Sequence, residues 1–74
     1  MRGKAIVFDI VVNGARHVCH GPRATVADLV HELALEGKRI AVEKNGEIVP
    51  RSRHATTLVV PGDKIEIVAA VGGG

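Results

Sequence analysis

Short apolar segments, separated by turn residues, run along most of this chain. The first covers Ile6 to Val12 and places Phe8 and Ile10 on one face, since side chains alternate along a strand. It runs into Asn13-Gly14, a pair that favours a tight β-hairpin because both residues tolerate positive φ. Arg16 to Cys19 form the predicted return strand.

The apolar spacing changes to that of a helix after residue 24. Thr25 opens a Thr-Val-Ala-Asp pattern that resembles a capping box, with Asp28 replacing the commoner Glu. One apolar stripe follows, formed by Val26, Leu29, Val30, Leu33 and Ala34. We expect Gly37 to end the helix in a left-handed conformation. So short an amphipathic helix needs a sheet to pack against.

The rest of the chain predicts further strands. Residues 40–42 begin a strand that reaches a second Asn-Gly pair at 45–46, and Ile48-Val49 continue the chain as far as Pro50. Residues 58–60 form a brief extended piece, and residues 65–71 form the last strand. The order β-β-α-β-β predicts an α+β fold of the β-grasp (ubiquitin-like) kind, a roll with a mixed sheet and one main helix on one face.

Composition limits the classes of function. Seventy-four residues with 46% hydrophobic content suffice for one domain over residues 1–74, with no surplus for a deep catalytic cavity. The net charge of +2 is spread along the chain and Phe8 is the only aromatic residue, which argues against nucleic-acid binding. A single cysteine indicates a reducing compartment. Without a signal peptide or a membrane-length apolar stretch, a cytoplasmic protein is expected.

Histidine and cysteine side chains raise the question of a metal site. Strand alternation places His17 and Cys19 on one face and His20 on the other, so the three do not converge and no zinc site is expected. Cys19 is interpreted as an ordinary strand residue, because no activating partner is evident. No nucleophile–base pair or phosphate loop is present either, and no catalytic residue is predicted.

Three glycines, Gly72, Gly73 and Gly74, directly follow the last strand. At an average usage of about 7%, three successive glycines arise at a given place about 3 times in 10,000. Glycine lets the backbone approach another molecule closely, and four extended residues reach about 13 Å into a partner's active site. A carboxylate at Gly74 would become reactive once joined to AMP, and a sulfur nucleophile would then leave a thiocarboxylate. A frayed terminus is the alternative.

Two segments, residues 45–53 and residues 61–74, resemble the ThiS family, the sulfur carrier proteins of thiamine biosynthesis. The similarity is carried by the Asn-Gly-Glu-Ile-Val-Pro, Gly-Asp-x-Ile-Glu-Ile-Val and Val-Gly-Gly-Gly motifs and extends over roughly residues 9–74. It implies that a ThiF-type adenylyltransferase consumes ATP to adenylate Gly74, which becomes a thiocarboxylate with sulfur from a persulfide enzyme. The sulfur then passes to thiazole synthase, ThiG. The resemblance implies no bound cofactor. Residues 1–8 and His54 depart from the family pattern.

Other readings of the same features stay open. A MoaD-type subunit of molybdopterin synthase also ends in Gly-Gly, and a plain binding module with an incidental tail is a third hypothesis. Partner docking is expected at Val68 and Ala70, which face away from the helix if Ile65, Ile67 and Ala69 face it. Cover by a flanking strand is the alternative. Arg51 and Arg53 are further candidates for contact with an acidic partner.

Overall fold

The computed structural model describes residues 7–21 and 23–69. This part of the chain forms seven strands, one α-helix and one 3-10 helix. The strands are β1 (Val7–Val12), β2 (Ala15–His20), β3 (Ala24–Thr25), β4 (Ile40–Lys44), β5 (Glu47–Val49), β6 (Leu58–Val59) and β7 (Lys64–Ala69), with α1 at Val26–Glu32 and the 3-10 helix at Arg51–Arg53. None of the helices described here is long and apolar enough to cross a membrane.

Five of the strands form one mixed sheet in the order β2-β1-β7-β4-β5. β1 and β7 run parallel, whereas the other neighbours are antiparallel. The two short strands β3 and β6 pair separately beside the helix. β7, the last of the described strands, therefore occupies the centre of the main sheet, between the β1–β2 and β4–β5 hairpins. The mixed sheet with one main helix matches the predicted architecture.

The core lies between the helix and one face of the main sheet. Its fully buried members come from the helix and from three strands of the sheet, and they are Ile10, Val26, Leu29, Val42 and Ile65. The alternation predicted for the first strand is confirmed, since Phe8 packs against this core and Ile10 belongs to it. Both Asn-Gly pairs form tight turns with positive φ at each residue, 51° and 82° at residues 13–14 and 51° and 89° at residues 45–46.

The helix begins as predicted and ends earlier than predicted. Thr25 accepts a hydrogen bond from the Asp28 amide, and the Asp28 carboxylate accepts one from the Thr25 amide, so the capping box is present. The helix ends at Glu32 rather than near Gly37, which has the predicted positive φ (79°) but lies beyond the helix. Ala34, at φ 60°, takes the left-handed position, and it is exposed rather than part of the apolar stripe. Leu35 turns back onto the core in its place.

Candidate functional site

β7 is the element that leads to the three glycines. Ile65 and Ile67 bury their side chains in the core, and the described part of the strand reaches Ala69, five residues before Gly74. The predicted tail residues, Gly72 to Gly74, and the docking candidate Ala70 lie outside the described residues. The site can therefore be built only from the strand that precedes them and the surface around it.

Two polar side chains hold β7 from its two neighbouring turns. Asn13 donates from Nδ2 to the Ile67 carbonyl (3.1 Å) and accepts from the Ile67 amide at Oδ1 (2.7 Å). Asn45 accepts from the Lys64 amide (2.9 Å) and donates to the carboxylate of Asp63 (2.9 Å), the one buried charged side chain among the residues described. The start of β7 and its middle are thus fixed by side chains as well as by the sheet ladder.

Val68 points away from the core, as expected for a docking residue. Its side chain is 65% exposed, and it lies opposite the exposed Ala41 of β4 on the face of the sheet that the helix leaves open. Ala69 lies on the same face as Ile65 and Ile67 by strand alternation, but it is exposed rather than buried under the helix. It lies opposite the half-buried Ile40 at the margin of the core, where burial ends.

The two arginine candidates lie in different places. Arg51 lines a shallow depression with Arg39, Ala41 and Val68, and it donates to the Lys38 carbonyl (3.0 Å). Arg53 lines a separate depression, formed by residues of the second hairpin and Thr57. The structure therefore brings Val68 and Arg51 together and leaves Arg53 apart.

Arg39 and Ala41 also border the depression beside Val68, and sequence reasoning missed both. The alternation around the buried Val42 could have marked Ala41 as outward-facing. The pairing of β4 with β7, which places Ala41 beside Val68, has no local signal in the sequence.

His54, which departs from the family pattern, has contacts within the fold. Its ring Nε2 donates to the Val49 carbonyl (3.1 Å), and its own carbonyl accepts from the Ala27 amide (2.8 Å). These bonds join the segment after β5 to the first turn of the helix. The side chain is half-buried.

His17 and Cys19 lie on one face of β2 and His20 lies on the other, as predicted. Cys19 is buried, His17 is half-buried with Nε2 3.0 Å from the Glu32 carboxylate, and His20 is exposed. Burial raises the pKa of the Cys19 thiol above its ordinary value, and the nearby Glu32 carboxylate raises it further. A buried thiol with a raised pKa is a poor nucleophile. Across residues 7–21 and 23–69, no three His, Cys, Asp or Glu side chains are grouped to hold a metal ion.

A mixed sheet that packs one helix on one face and leaves the other face open, with its central strand leading to the glycines, defines the β-grasp class of small proteins. The ThiS family model matches residues 10–74. The chain belongs to the ThiS family.

Three similar proteins illustrate the range of this family. A thiazole synthase of Paramagnetospirillum magneticum is 45% identical over 65 residues, which cover 88% of this chain and 20% of that enzyme, so the chain spans only a fifth of its length. The sulfur carrier protein ThiS of Bacillus subtilis is 42% identical over 50 residues, covering 68% of this chain and 76% of the carrier. The crystal structure of the thiamine biosynthesis protein ThiS of Geobacter metallireducens superposes with a TM-score of 0.77 at 30% identity, covering 90% of this chain and all of that one.

Proposed function

We propose that this chain is a sulfur carrier of thiamine biosynthesis, a protein substrate rather than an enzyme, and that it carries sulfur as a thiocarboxylate on Gly74. The observation that supports the proposal most strongly is the ThiS family match, which includes all three glycines. The similarity to a sulfur carrier protein of Bacillus subtilis points to the same role. The proposal treats residues 1–74 as one carrier domain with residues 72–74 as its flexible tail.

The proposed chemistry has three steps on the partner enzymes. A carboxylate oxygen of Gly74 attacks the α-phosphorus of ATP on a ThiF-type adenylyltransferase, and pyrophosphate leaves. The terminal sulfur of a persulfide on the sulfur-donating enzyme then attacks the Gly74 carbonyl carbon and displaces AMP, which gives an acyl disulfide. A second thiol of the partner enzymes cleaves the S–S bond, forms a disulfide with the donor's remaining sulfur and releases the thiocarboxylate. Side chains on the last residues would obstruct these steps, and glycine removes that obstruction. The carrier itself would bind no cofactor, because ATP is consumed on the activating enzyme.

The fold supports this role through the position of β7. The strand is held from both sides as far as Ile67 and by β4 alone at Ala69, so the tail would start from a point that the sheet positions. Five residues separate that point from the end of Gly74, and such a segment reaches at most about 18 Å. We propose that Val68 and Arg51, with Ala70 beside the tail, contact the partner enzyme while the tail enters its active site. Arg53 lies in another depression and would contact the partner separately.

Thiazole synthase is the proposed acceptor of the sulfur. Support comes from the Paramagnetospirillum magneticum thiazole synthase, which contains a segment 45% identical to this chain. The ThiS family match favours this acceptor over molybdopterin synthase, the alternative that a Gly-Gly ending alone leaves open.

Intact-protein mass spectrometry tests the carrier chemistry. The chain is incubated with ATP, a ThiF-type adenylyltransferase and a sulfur donor, and we expect a mass gain equal to the replacement of one oxygen by sulfur, mapped to Gly74. Deletion of Gly73 and Gly74 is the control and should abolish the gain. An unchanged mass with an enzyme that thiolates another carrier would contradict the proposal.

A further inference from the structure

The open face of the main sheet carries two carboxylates directly opposite each other. Glu43 of β4 and Glu66 of β7 are register partners in the antiparallel pair β4–β7. They share the face opposite the helix, because the neighbouring Val42 and Ile67 point into the core. Side chains in such positions have their Cβ atoms about 5 Å apart.

Glu43 and Glu66 form no ion pair within the described residues, although Lys64 lies on the same face two residues before Glu66. The ion pairs there join Asp9 to Arg16, His17 to Glu32, His31 to Glu36 and Lys44 to Asp63, and none involves Glu43 or Glu66. Like charges directly opposite each other destabilise a sheet. The pair therefore presents two carboxylates without an ion-pair partner on the open face of the free protein.

Apolar side chains frame the two carboxylates on the same face. Ile48 of β5 lies opposite Glu43 and is 63% exposed, and the pair Ala41 and Val68 forms the next row of the sheet. We call Ala41, Glu43, Ile48, Glu66 and Val68 the open-face cluster. A partner that packs against apolar side chains around a charged group excludes water from that group. Without water, the attraction between a carboxylate of this chain and a cation of the partner becomes stronger.

We propose that the open-face cluster binds thiazole synthase, through an arginine of that enzyme that enters between Glu43 and Glu66. The inference rests on the proposed function and deepens it by naming the contact. A guanidinium suits the position because it is planar and has five N–H donors, enough to bond both carboxylates at once. The apolar rim packs against apolar side chains around that arginine. Thiazole synthase is the proposed partner because the thiazole synthase of Paramagnetospirillum magneticum contains a segment similar to this chain.

The binding constant of the full chain for the thiazole synthase of the same organism tests this contact. Isothermal titration compares the wild type with Glu43→Gln and Glu66→Gln, and each variant should bind at least about tenfold more weakly, since an arginine desolvated at the interface loses a charged partner. Glu32→Gln is the matched control, because Glu32 is an exposed glutamate at the end of α1, on the helix side of the sheet, and glutamine can keep its hydrogen bond to His17. It should bind within about twofold of the wild type.

Thermal unfolding of the same variants separates recognition from a structural role. Removal of either carboxylate should leave the unfolding midpoint unchanged or raise it, because the repulsion disappears. Weaker binding accompanied by a lower midpoint would overturn the proposal, as would wild-type affinity in both variants. Loss of affinity for the adenylyltransferase alone would overturn it too.

The mass measurement keeps this inference distinct from the proposed function. If the wild type forms the thiocarboxylate and both glutamine variants bind thiazole synthase normally, the contact is wrong and the carrier function stands. If the wild type forms no thiocarboxylate, the carrier function fails, and the arginine contact with it.

Discussion

Asn13 and Asn45 show how much a single turn residue contributes in a chain of this size. Each occupies the first position of a tight turn at φ 51°, where asparagine is tolerated better than most residues. The side chain of each also forms a hydrogen bond with the backbone of β7. The bond between Asn13 and Ile67 joins residues 54 positions apart in the sequence. The ladder of β1 with β7 covers only two residue pairs, and Asn13 extends it with two side-chain bonds.

Asn13→Gly tests this contribution. Glycine keeps the turn but leaves the Ile67 amide and carbonyl without partners, so we expect a loss of about 2 kcal/mol in the free energy of unfolding, measured by urea denaturation. Hydrogen exchange at the Ile67 amide should accelerate. Asn45→Gly is the control and should instead accelerate exchange at Lys64, whose amide it bonds. Unchanged exchange at Ile67 in the first variant would show that the bonds contribute little.

At the scale of elements, the end of the helix departs most from expectation. The Leu35 amide bonds the Val30 carbonyl (2.9 Å) and the Ala34 amide bonds the His31 carbonyl (3.0 Å), which together form a Schellman motif. Glycine usually occupies its left-handed position, whereas here it is Ala34. The prediction that the helix ends at Gly37 relied on this preference for glycine. The helix ends earlier because packing of Leu35 on the core fixes the turn.

Ala34→Gly should therefore stabilise the protein. A left-handed residue with a Cβ costs about 1–2 kcal/mol, and glycine relieves that strain, so we expect the free energy of unfolding to rise by about 1 kcal/mol. Ala27→Gly is the matched control, since the same change inside the helix should cost about 1 kcal/mol. Chemical denaturation of both variants measures the effects. A loss of stability in both would show that the strain at Ala34 is negligible.

At the scale of the whole molecule, topology separates the two faces of the main sheet. The helix covers one face, and the other exposes Val68 and Ile48. The placement of β7 at the centre brings its outward residues beside those of β4. An exposed apolar surface, which we propose as the docking surface, thus forms on the strand that leads to the glycines.

Val68→Asp should weaken partner binding and leave folding intact. The side chain is 65% exposed, so the urea midpoint should stay close to that of the wild type, whereas affinity for the adenylyltransferase and thiazole synthase should fall at least about tenfold. Leu58→Asp, at a side chain 45% exposed in the small second sheet, is the control and should retain binding. Equal binding by both variants would place the docking surface elsewhere.

The sequence by itself determined the features that local chemistry controls. The two Asn-Gly turns, the capping box at Thr25 and the alternation of Phe8 and Ile10 all depend on residues near one another in the chain, so pattern reasoning found them. The motifs near the end of the chain also pointed to the ThiS family, and the match of the family model to residues 10–74 confirms it.

Only the tertiary structure decided which distant residues meet. Val68 beside Ala41, and Glu66 opposite Glu43, follow from the register of two strands that lie twenty residues apart in sequence. Side-chain alternation assigns each residue to a face but gives no pairing between strands. The early helix end likewise depended on packing of Leu35, which overrode the local preference for glycine. Strand pairing and core packing are set by the whole chain, and no local pattern encodes them.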